Sequence, residues 1–526
     1  MGTKVRSFKL TYSTMFDPPP ELHRHFEAAL ARVKARLGEE YPLWIGGEPR
    51  QTAERLEAHS PINRNWLLGR FQRGTPADVS DAVAAAARAF PAWAGLHWQE
   101  RVKLLRRAAA LIEERVYDTA AAVALEVGKN RMEALGEVQE TADLISWYCD
   151  QMEQNHGFLR SLPTDPLKGF VSHNRSVLKP YGVWAVIAPF NFPYALAGGP
   201  VGAALVTGNT VVFKTASDTP WRGWLLDAVF RDAGLPAGVC NLVTGAGGTV
   251  GEAIIQHPDL AGITFTGSYE VGMHIFRSFA KGPWPRPCIA EMGGKNAAIV
   301  TRNADLERAA MGIMRSAFGL QGQKCSACSR VYVERSVAAA LLEKLVRATE
   351  TIQIGDPTER ANWMGPVINR DAFGRYKKCI DNLVQYGKVY TGGMQLVTGA
   401  LADGYFCAPT VGTAPHDYRL WREEKFCPIV LVGEVESLQE AIQRANASEY
   451  GLTAGLYGGS EETEAFLSGI EAGVTYVNRP QGATTGAWPG YQPFGGWKGS
   501  GSTGKAIGSF YYVQQYLREQ SQTIVE

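Results

Sequence analysis

No charged residue occurs between Lys179 and Lys214, a run longer than the ~20 residues a membrane-spanning helix needs. It cannot be one helix. Pro189, Pro193 and Pro200 interrupt it, as do Gly182, Gly198, Gly199, Gly202 and Gly208, because proline removes a helical donor and glycine disfavours the helical backbone. Asn191 and Asn209 would also lack partners in lipid. The run therefore reads as a buried strand at 183–189, a loop, a small-residue helix at 198–206 and a second buried strand at 210–214. A strand without polar alternation must be covered on both faces, which calls for a parallel sheet between layers of helix.

The same pattern continues. Apolar runs at 239–245, 262–267 and 288–294 alternate with helical patterns at 221–233 and 250–256, the order of a doubly wound α/β domain. Such sheets bind ligands at the carboxyl ends of their strands. A second series follows: strands at 297–301, 330–334, 428–435 and 473–478, with helices at 306–317, 337–350 and 438–446. Ahead of both lie four helical patterns, at 20–38, 77–93, 98–115 and 133–148. The expected division is N-terminal helices and a dinucleotide-binding domain over 1–160 and 182–290, a catalytic domain over 291–480, and oligomerisation strands over 161–181 and 500–526. The C-terminal strand rests on the alternating run Ser509 to Leu517, within a last segment, Gly504 to Glu526, too short to fold alone. At roughly 150 residues per domain, the 526 residues fit that count.

Composition narrows the function. Lys plus Arg is 53 against 52 Asp plus Glu, so no excess charge calls for nucleic acid or an anionic membrane. Eight cysteines are too few for a disulfide scaffold and fit a reducing, cytoplasmic setting. The N-terminal segment mixes Lys4, Arg6, Lys9 and Asp17 and has no apolar run of signal-peptide length, so secretion is not expected.

Few residues invite chemistry. Gly245 to Gly248 and Phe265 to Ser268 each join a strand to a helix, where amides and a hydroxyl can hold a phosphate; plain turn geometry, or Ser268 as an N-cap, is the blander alternative. Cys325 follows a glycine-containing loop beside Lys324, whose charge would favour the thiolate. Cys328 completes one C-x-x-C pair, but a zinc ribbon fails on ligand count, and His23-x-His25 reads as a solvated face. No metal is expected. Glu291 stands alone in an apolar strand end, a setting that raises a carboxyl's pKa and suits a general base, with the capping of a neighbouring loop's amides as the plainer alternative. Asn191, between prolines and aromatics, is either a loop closer or a donor to an oxyanion.

Taken together, Pro-Phe-Asn-Phe-Pro at 189–193, Phe-Thr-Gly-Ser at 265–268, Glu-Met-Gly-Gly-Lys at 291–295, Gly-Gln-Lys-Cys at 322–325 and Glu-Glu-Lys-Phe-Cys-Pro at 423–428 resemble the aldehyde dehydrogenase superfamily in order and spacing, from about Leu43 almost to the C-terminus. The resemblance implies two doubly wound parallel-sheet domains with a small β oligomerisation element, NAD as cofactor, and a homo-oligomer, a dimer or an assembly of dimers, acting on a small aldehyde. It gives Cys325 the role of nucleophile, the Asn191 amide and the Cys325 N–H that of oxyanion donors, and Glu291 that of the base which hydrolyses the thioester. It places Ile187, Lys214, Ser217, Gly245, Gly267, Ser268, Glu424 and Phe426 around the dinucleotide. Two positions depart. Ser217 stands where many NAD-using members carry Glu, which leaves NADP use open. Cys427 replaces the usual glycine, which bears on cofactor affinity.

Within the superfamily the chain looks most like the 1-pyrroline-5-carboxylate dehydrogenases, which oxidise L-glutamate γ-semialdehyde to L-glutamate in proline catabolism. The likeness lies in 322–330, in Thr485-Gly486-Ala487 ahead of 490–496, in 39–47 and in Glu137. It implies that Gly486 and Ala487, with Ser326, hold the substrate carboxylate, that Phe192 and Phe494 flank its aliphatic part, and that Lys324 and Glu137 help to orient it. Core packing is an equal alternative for the two phenylalanines. The rival functions are oxidation of another aliphatic or aromatic aldehyde, accommodated by Trp488 and Trp497, and a catalytically silent structural protein. Retention of Cys325, Glu291 and Asn191 together opposes the silent scaffold.

Overall fold

The uncharged stretch becomes a strand, Val183–Ile187, a helix, Ala195–Val206, and a second strand, Thr210–Lys214, and both strands are buried along their whole length. A computed structural model describes residues 8–166 and 168–526. Met1 to Ser7 and Leu167, which the expected domain division includes, lie outside the described residues. Among these residues no helix is long and apolar enough to cross a membrane.

Two seven-stranded sheets organise the chain. The first runs in the order Cys288–Glu291, Gly262–Thr266, Val183–Ile187, Thr210–Lys214, Cys240–Val243, Leu43–Ile45, Glu48–Arg50. Its first five strands are parallel, and Leu43–Ile45 and Glu48–Arg50 continue it antiparallel. Chain direction across the sheet reverses between Val183–Ile187 and Gly262–Thr266, and a doubly wound sheet opens a crevice at such a point. The second sheet, from Lys388–Thr391 to Val474–Val477, has Cys328–Glu334 and Asn296–Val300 near its centre and six parallel strands. The expected α/β class and doubly wound architecture hold.

Glycine sets the closest helix contact around the first sheet. Ala195–Val206 lies against the helix Arg131–Gln154 so closely that a Cβ on Gly198 would fall 2.3 Å from Thr141 Cγ2, and one on Gly202 would fall 2.8 Å from Ile145. Asn130 caps the start of Arg131–Gln154 by accepting from Glu133 N at 2.9 Å. The helices Val116–Val127 and Arg370–Tyr386 were not among the expected elements. Val116–Val127 is buried almost throughout, so it carries no polar face to mark a period.

A third sheet joins Leu159–Leu162, Ser172–Pro180 and Leu517–Val525, all antiparallel. The alternating run at 509–517 is not the strand it resembles. Val513–Tyr516 forms a short 3-10 turn and strand pairing starts only at Leu517. The cause is burial of Tyr512 and Tyr516, four residues apart: Tyr512 stacks on Tyr148 at 5.4 Å, and Tyr516 packs on Trp184 at 4.6 Å. Residues 500–508 likewise leave the expected strand segment and return to the first sheet, where Gly501 bridges Glu291.

Candidate active site

Ile187, Lys214, Gly245, Gly267 and Glu291 fall at or just beyond the carboxyl edge of the first sheet, where Ile187 pairs with Lys214 and Thr266 with Glu291. At the reversal point the edge opens into a cleft of about 530 Å³, whose walls include Asn191, Gly267, Ser268, Gly293, Glu424 and Phe426. Ile187, Lys214, Ser217 and Gly245 lie outside that lining. The Ile187 side chain belongs to the apolar core of the sheet. Lys214 donates to the Thr215 carbonyl at 2.9 Å, and burial lowers its ammonium to about 8. Ser217, exposed, donates to the Gly245 carbonyl at 3.2 Å.

The cleft's chemistry suits a dinucleotide. Ser268 caps the helix Tyr269–Phe279, accepting from Val271 N at 3.3 Å, and thus presents a hydroxyl at a helix N-terminus to an anionic pyrophosphate. Glu424 Oε1 accepts from Gly294 N at 2.9 Å, and burial pushes this carboxyl up to about 7. A Cβ on Gly293 would fall 2.1 Å from Glu424 Oε2, so the glycine is what allows the carboxylate to seat there. Phe426, in the left-handed region at φ 55°, meets Phe190 edge-on at 5.8 Å.

Cys325 reaches the cleft from the second domain. Helix Leu306–Phe318 ends in a tight turn in which Leu320, Gln321 and Gly322 all have positive φ. Gly322 is obligatory there: its φ is +68°, and a Cβ would fall 2.4 Å from the Cys427 carbonyl oxygen. Asn296 fixes the next segment, its Nδ2 donating to the Cys325 carbonyl at 2.7 Å and to the Ala327 carbonyl at 2.9 Å. Asn191 Nδ2 donates to the Gln323 carbonyl at 3.0 Å, and its second amide hydrogen remains for a ligand oxygen. Neither Asn296 nor Gln323 was singled out in the sequence, because their partners are set by the turn and not by spacing.

Burial, then the carboxylates of Glu424 and Glu291, push the half-buried Cys325 thiol up to about 12. Lys324 does not offset this as expected. Its Nζ is paired with Glu133 Oε1 at 2.7 Å, so its charge is already neutralised. Glu291 is buried at the end of its strand, Oε2 has no hydrogen-bond partner among the described residues, and burial alone raises its pKa well above the ordinary carboxyl value. The strand end is clamped by the returning C-terminal segment: Ala290 N donates to Ser502 Oγ at 2.8 Å, and Met292 N donates to the Ser500 carbonyl at 2.9 Å.

On the other side of Cys325 lies a second cavity. Phe192, Lys324, Ser326, Gly486, Ala487 and Phe494 line it. Among the described residues, Cys325 alone lines both this cavity and the dinucleotide-sized cleft. The anchor loop is held by Arg479, which donates to the Thr485 carbonyl at 3.2 Å and to the Gly486 carbonyl at 3.0 Å. The preceding residues of the same loop lie against helix Leu306–Phe318, where Ala483 N donates to the Gly312 carbonyl at 3.0 Å.

Glu137 is absent from this wall, contrary to expectation. It is fully buried, pairs with Lys129 at 2.6 Å and accepts from Tyr194 N at 2.7 Å. A buried acid is stabilised there by a cation and by the amides that open a helix. Its influence is indirect: Lys129 Nζ lies 3.5 Å from the Phe192 ring centroid. Trp488 and Trp497 are also absent. The Trp488 indole donates to Asp143 at 2.8 Å, and Trp497 is exposed in a two-stranded ribbon. In their place the cavity receives Glu133, Glu140, Arg315 and, from the N-terminal segment, Tyr12, Met15 and Phe16. Tyr12 Oη donates to Glu140 Oε2 at 2.7 Å, and burial raises the Glu140 carboxyl to about 8.

Comparison with known proteins agrees with this geometry. The model of the aldehyde dehydrogenase family matches residues 48–522. A 1-pyrroline-5-carboxylate dehydrogenase of Geobacillus thermodenitrificans is 38% identical over 507 residues, covering 95% of this chain and 96% of the relative. The Bacillus subtilis protein 1-pyrroline-5-carboxylate dehydrogenase 2 is also 38% identical, with the same coverage. The crystal structure of a Thermus 1-pyrroline-5-carboxylate dehydrogenase with bound NAD superposes with a TM-score of 0.92 at 34% identity, over 99% of this chain and 100% of that one.

Proposed function

Because this chain belongs to the aldehyde dehydrogenase family, we infer that it is the NAD-dependent dehydrogenase that oxidises L-glutamate γ-semialdehyde to L-glutamate in proline catabolism, the activity named for its full-length relatives. The observation that carries this reading is the single cysteine shared by a dinucleotide-sized cleft and a lined substrate cavity. A hydride acceptor and the aldehyde must meet at one carbon, and Cys325 stands at the junction of the two spaces.

In the proposed mechanism Cys325 gives up its thiol proton to solvent, and the thiolate sulfur adds to the aldehyde carbon. The free Asn191 amide hydrogen and the Cys325 backbone N–H stabilise the developing oxyanion. Ser268, Glu424 and Phe426 would hold NAD, which would supply the hydride acceptor, beside a thiol that burial holds protonated. Loss of hydride from the tetrahedral adduct leaves a thioester on Cys325. Glu291 then takes a proton from water, which attacks the thioester and releases the acid.

Substrate selection is assigned to the cavity's two kinds of wall. The amides of Gly486 and Ala487 with the Ser326 hydroxyl take the α-carboxylate, and Phe192 and Phe494 flank the methylenes. The role first given to Glu137 is assigned to Glu140, a residue of the cavity wall, which would meet the α-ammonium. An aldehyde panel run with NAD and NADP tests this. kcat/KM for glutamate semialdehyde should exceed that for hexanal by about 10³-fold, because hexanal leaves the polar wall unpaired; equal efficiency overturns the substrate assignment.

Assembly through the third sheet is also proposed. It leaves Leu159, Leu162, Ile524 and Val525 exposed near its edges, apolar area that a second subunit would cover. The proposed compartment is the cytoplasm, where the eight free thiols would stay reduced. Light scattering that reads a stable monomer removes the first proposal, and recovery outside the cytoplasmic fraction removes the second.

A further inference from the structure

Two acids, Glu133 and Glu140, and two cations, Arg315 and Lys324, line the substrate cavity. Glu133 and Lys324 cancel, paired at 2.7 Å. Glu140 accepts from the neutral Tyr12 hydroxyl at 2.7 Å, which leaves its charge free for an ammonium. Arg315 remains. No carboxylate pairs with it among the described residues, and burial opposes its charge. A half-buried guanidinium on a cavity wall, without a counter-ion, is costly until an anion arrives there.

The side chain is held in place at the anchor loop. Arg315 lies in the last turn of helix Leu306–Phe318, and its Nη1 donates to the Pro480 carbonyl at 3.1 Å, at the head of that loop. The guanidinium carbon lies 3.9 Å from the centroid of the Phe16 ring, a cation–π contact that restrains it. The adjacent Ser316 binds the same loop, its Oγ accepting from Thr484 N at 3.1 Å and lying 3.1 Å from Thr485 Oγ1. Thr485, Gly486 and Ala487 share the cavity wall with Arg315. Arg479, the other arginine at the loop, donates to the Thr485 and Gly486 carbonyls and lies outside that wall. A cation near a helix C-terminus also suits the helix dipole, but a side chain turned to solvent would serve that role equally well.

We propose that Arg315 is a specificity-determining residue, the fixed positive charge that selects aldehydes carrying a carboxylate at the end remote from the reacting carbon. The amides of Gly486 and Ala487 and the Ser326 hydroxyl orient that carboxylate but are neutral. Arg315 supplies the charge that burying an anion requires. With Glu133 and Lys324 paired, the two groups left over, Glu140 and Arg315, are one of each sign, the complement of an α-amino acid. Tyr12 and Phe16 hold one each, so the N-terminal segment takes part in substrate choice.

This rests on the cavity being the aldehyde site, and the test separates the two claims. Full-length wild type, Arg315→Gln and Arg315→Lys are compared by kcat/KM on three aldehydes. Glutamate semialdehyde carries carboxylate and ammonium, glutarate semialdehyde carries the carboxylate alone, and hexanal carries neither. In Arg315→Gln the preference for each carboxylated aldehyde over hexanal should fall by about 10- to 100-fold, chiefly through KM. The preference between the two carboxylated aldehydes should change by no more than about threefold, because Glu140 is untouched. Arg315→Lys keeps the charge and should lose less than Arg315→Gln. A wild type without preference for carboxylated aldehydes refutes the substrate reading and this inference with it. A wild-type preference that survives in Arg315→Gln overturns the role of Arg315 alone. So does an equal fall in Arg315→Lys, a parallel loss on hexanal, or an equally large change between the two carboxylated aldehydes.

Discussion

Cys325→Ala will release no NADH from glutamate semialdehyde, a loss of about 10⁴-fold or more in turnover, while NAD affinity stays within a few-fold of wild type. The expectation follows from the position of the sulfur. It is the only described side chain common to the cleft and the substrate cavity, so no neighbouring nucleophile can substitute. Cys328, three residues on, is buried and lies in the strand Cys328–Glu334. Truncation removes one atom from a half-buried loop, so folding should be preserved and the thermal midpoint nearly unchanged. Single-turnover absorbance and NAD titration measure both quantities. Turnover within tenfold of wild type would take this thiol out of the chemistry.

Glu291→Gln divides the reaction. Acylation requires no base at this position, so the variant should give a burst of about one NADH per active site and then a steady rate lower by about 10²- to 10⁴-fold. The pH dependence has a definite sign. Burial raises the Glu291 carboxyl well above its ordinary value, and only its ionised form can accept a proton from water. Thioester hydrolysis in the wild type should therefore climb with pH through that raised value, and the variant should lose this limb. Stability should run the opposite way. A carboxyl whose pKa is higher folded than unfolded contributes stability fully present below its unfolded pKa and lost as pH rises through the folded one. Glutamine remains neutral, so the variant should be at least as stable as wild type at alkaline pH. Normal turnover without a burst would assign the base elsewhere.

The legible part of the site was carried by short segments. Strand–turn–helix junctions such as Phe265 to Ser268, and the apolar strand ending in Glu291, announce themselves because one stretch of chain supplies both the element and the functional group. The alternating run at 509–517 was misleading for a related reason. Alternation reports a preference for strand, but Tyr512 and Tyr516 gain more by burial beside Tyr148 and Trp184, and tertiary packing overrides local propensity. Glu137 illustrates the same limit. Its helix also carries Glu133, Glu140 and Asp143, and whether Glu137 meets a substrate or the amides of Tyr194 and Ala195 depends on which helix lies opposite.

By itself the sequence determined two doubly wound sheets and the residues at their carboxyl edge, because periodicity and turn chemistry act between near neighbours, and it singled out Cys325, Glu291 and Asn191 as candidates whose roles as nucleophile, base and oxyanion donor are what the family resemblance implies. Only the tertiary structure decided the far wall of the substrate cavity. Tyr12 meets Glu140, Ser13 meets Arg479, and Asn296 grips the Cys325 carbonyl, contacts whose partners are fixed by how helices and sheets pack across long stretches of chain.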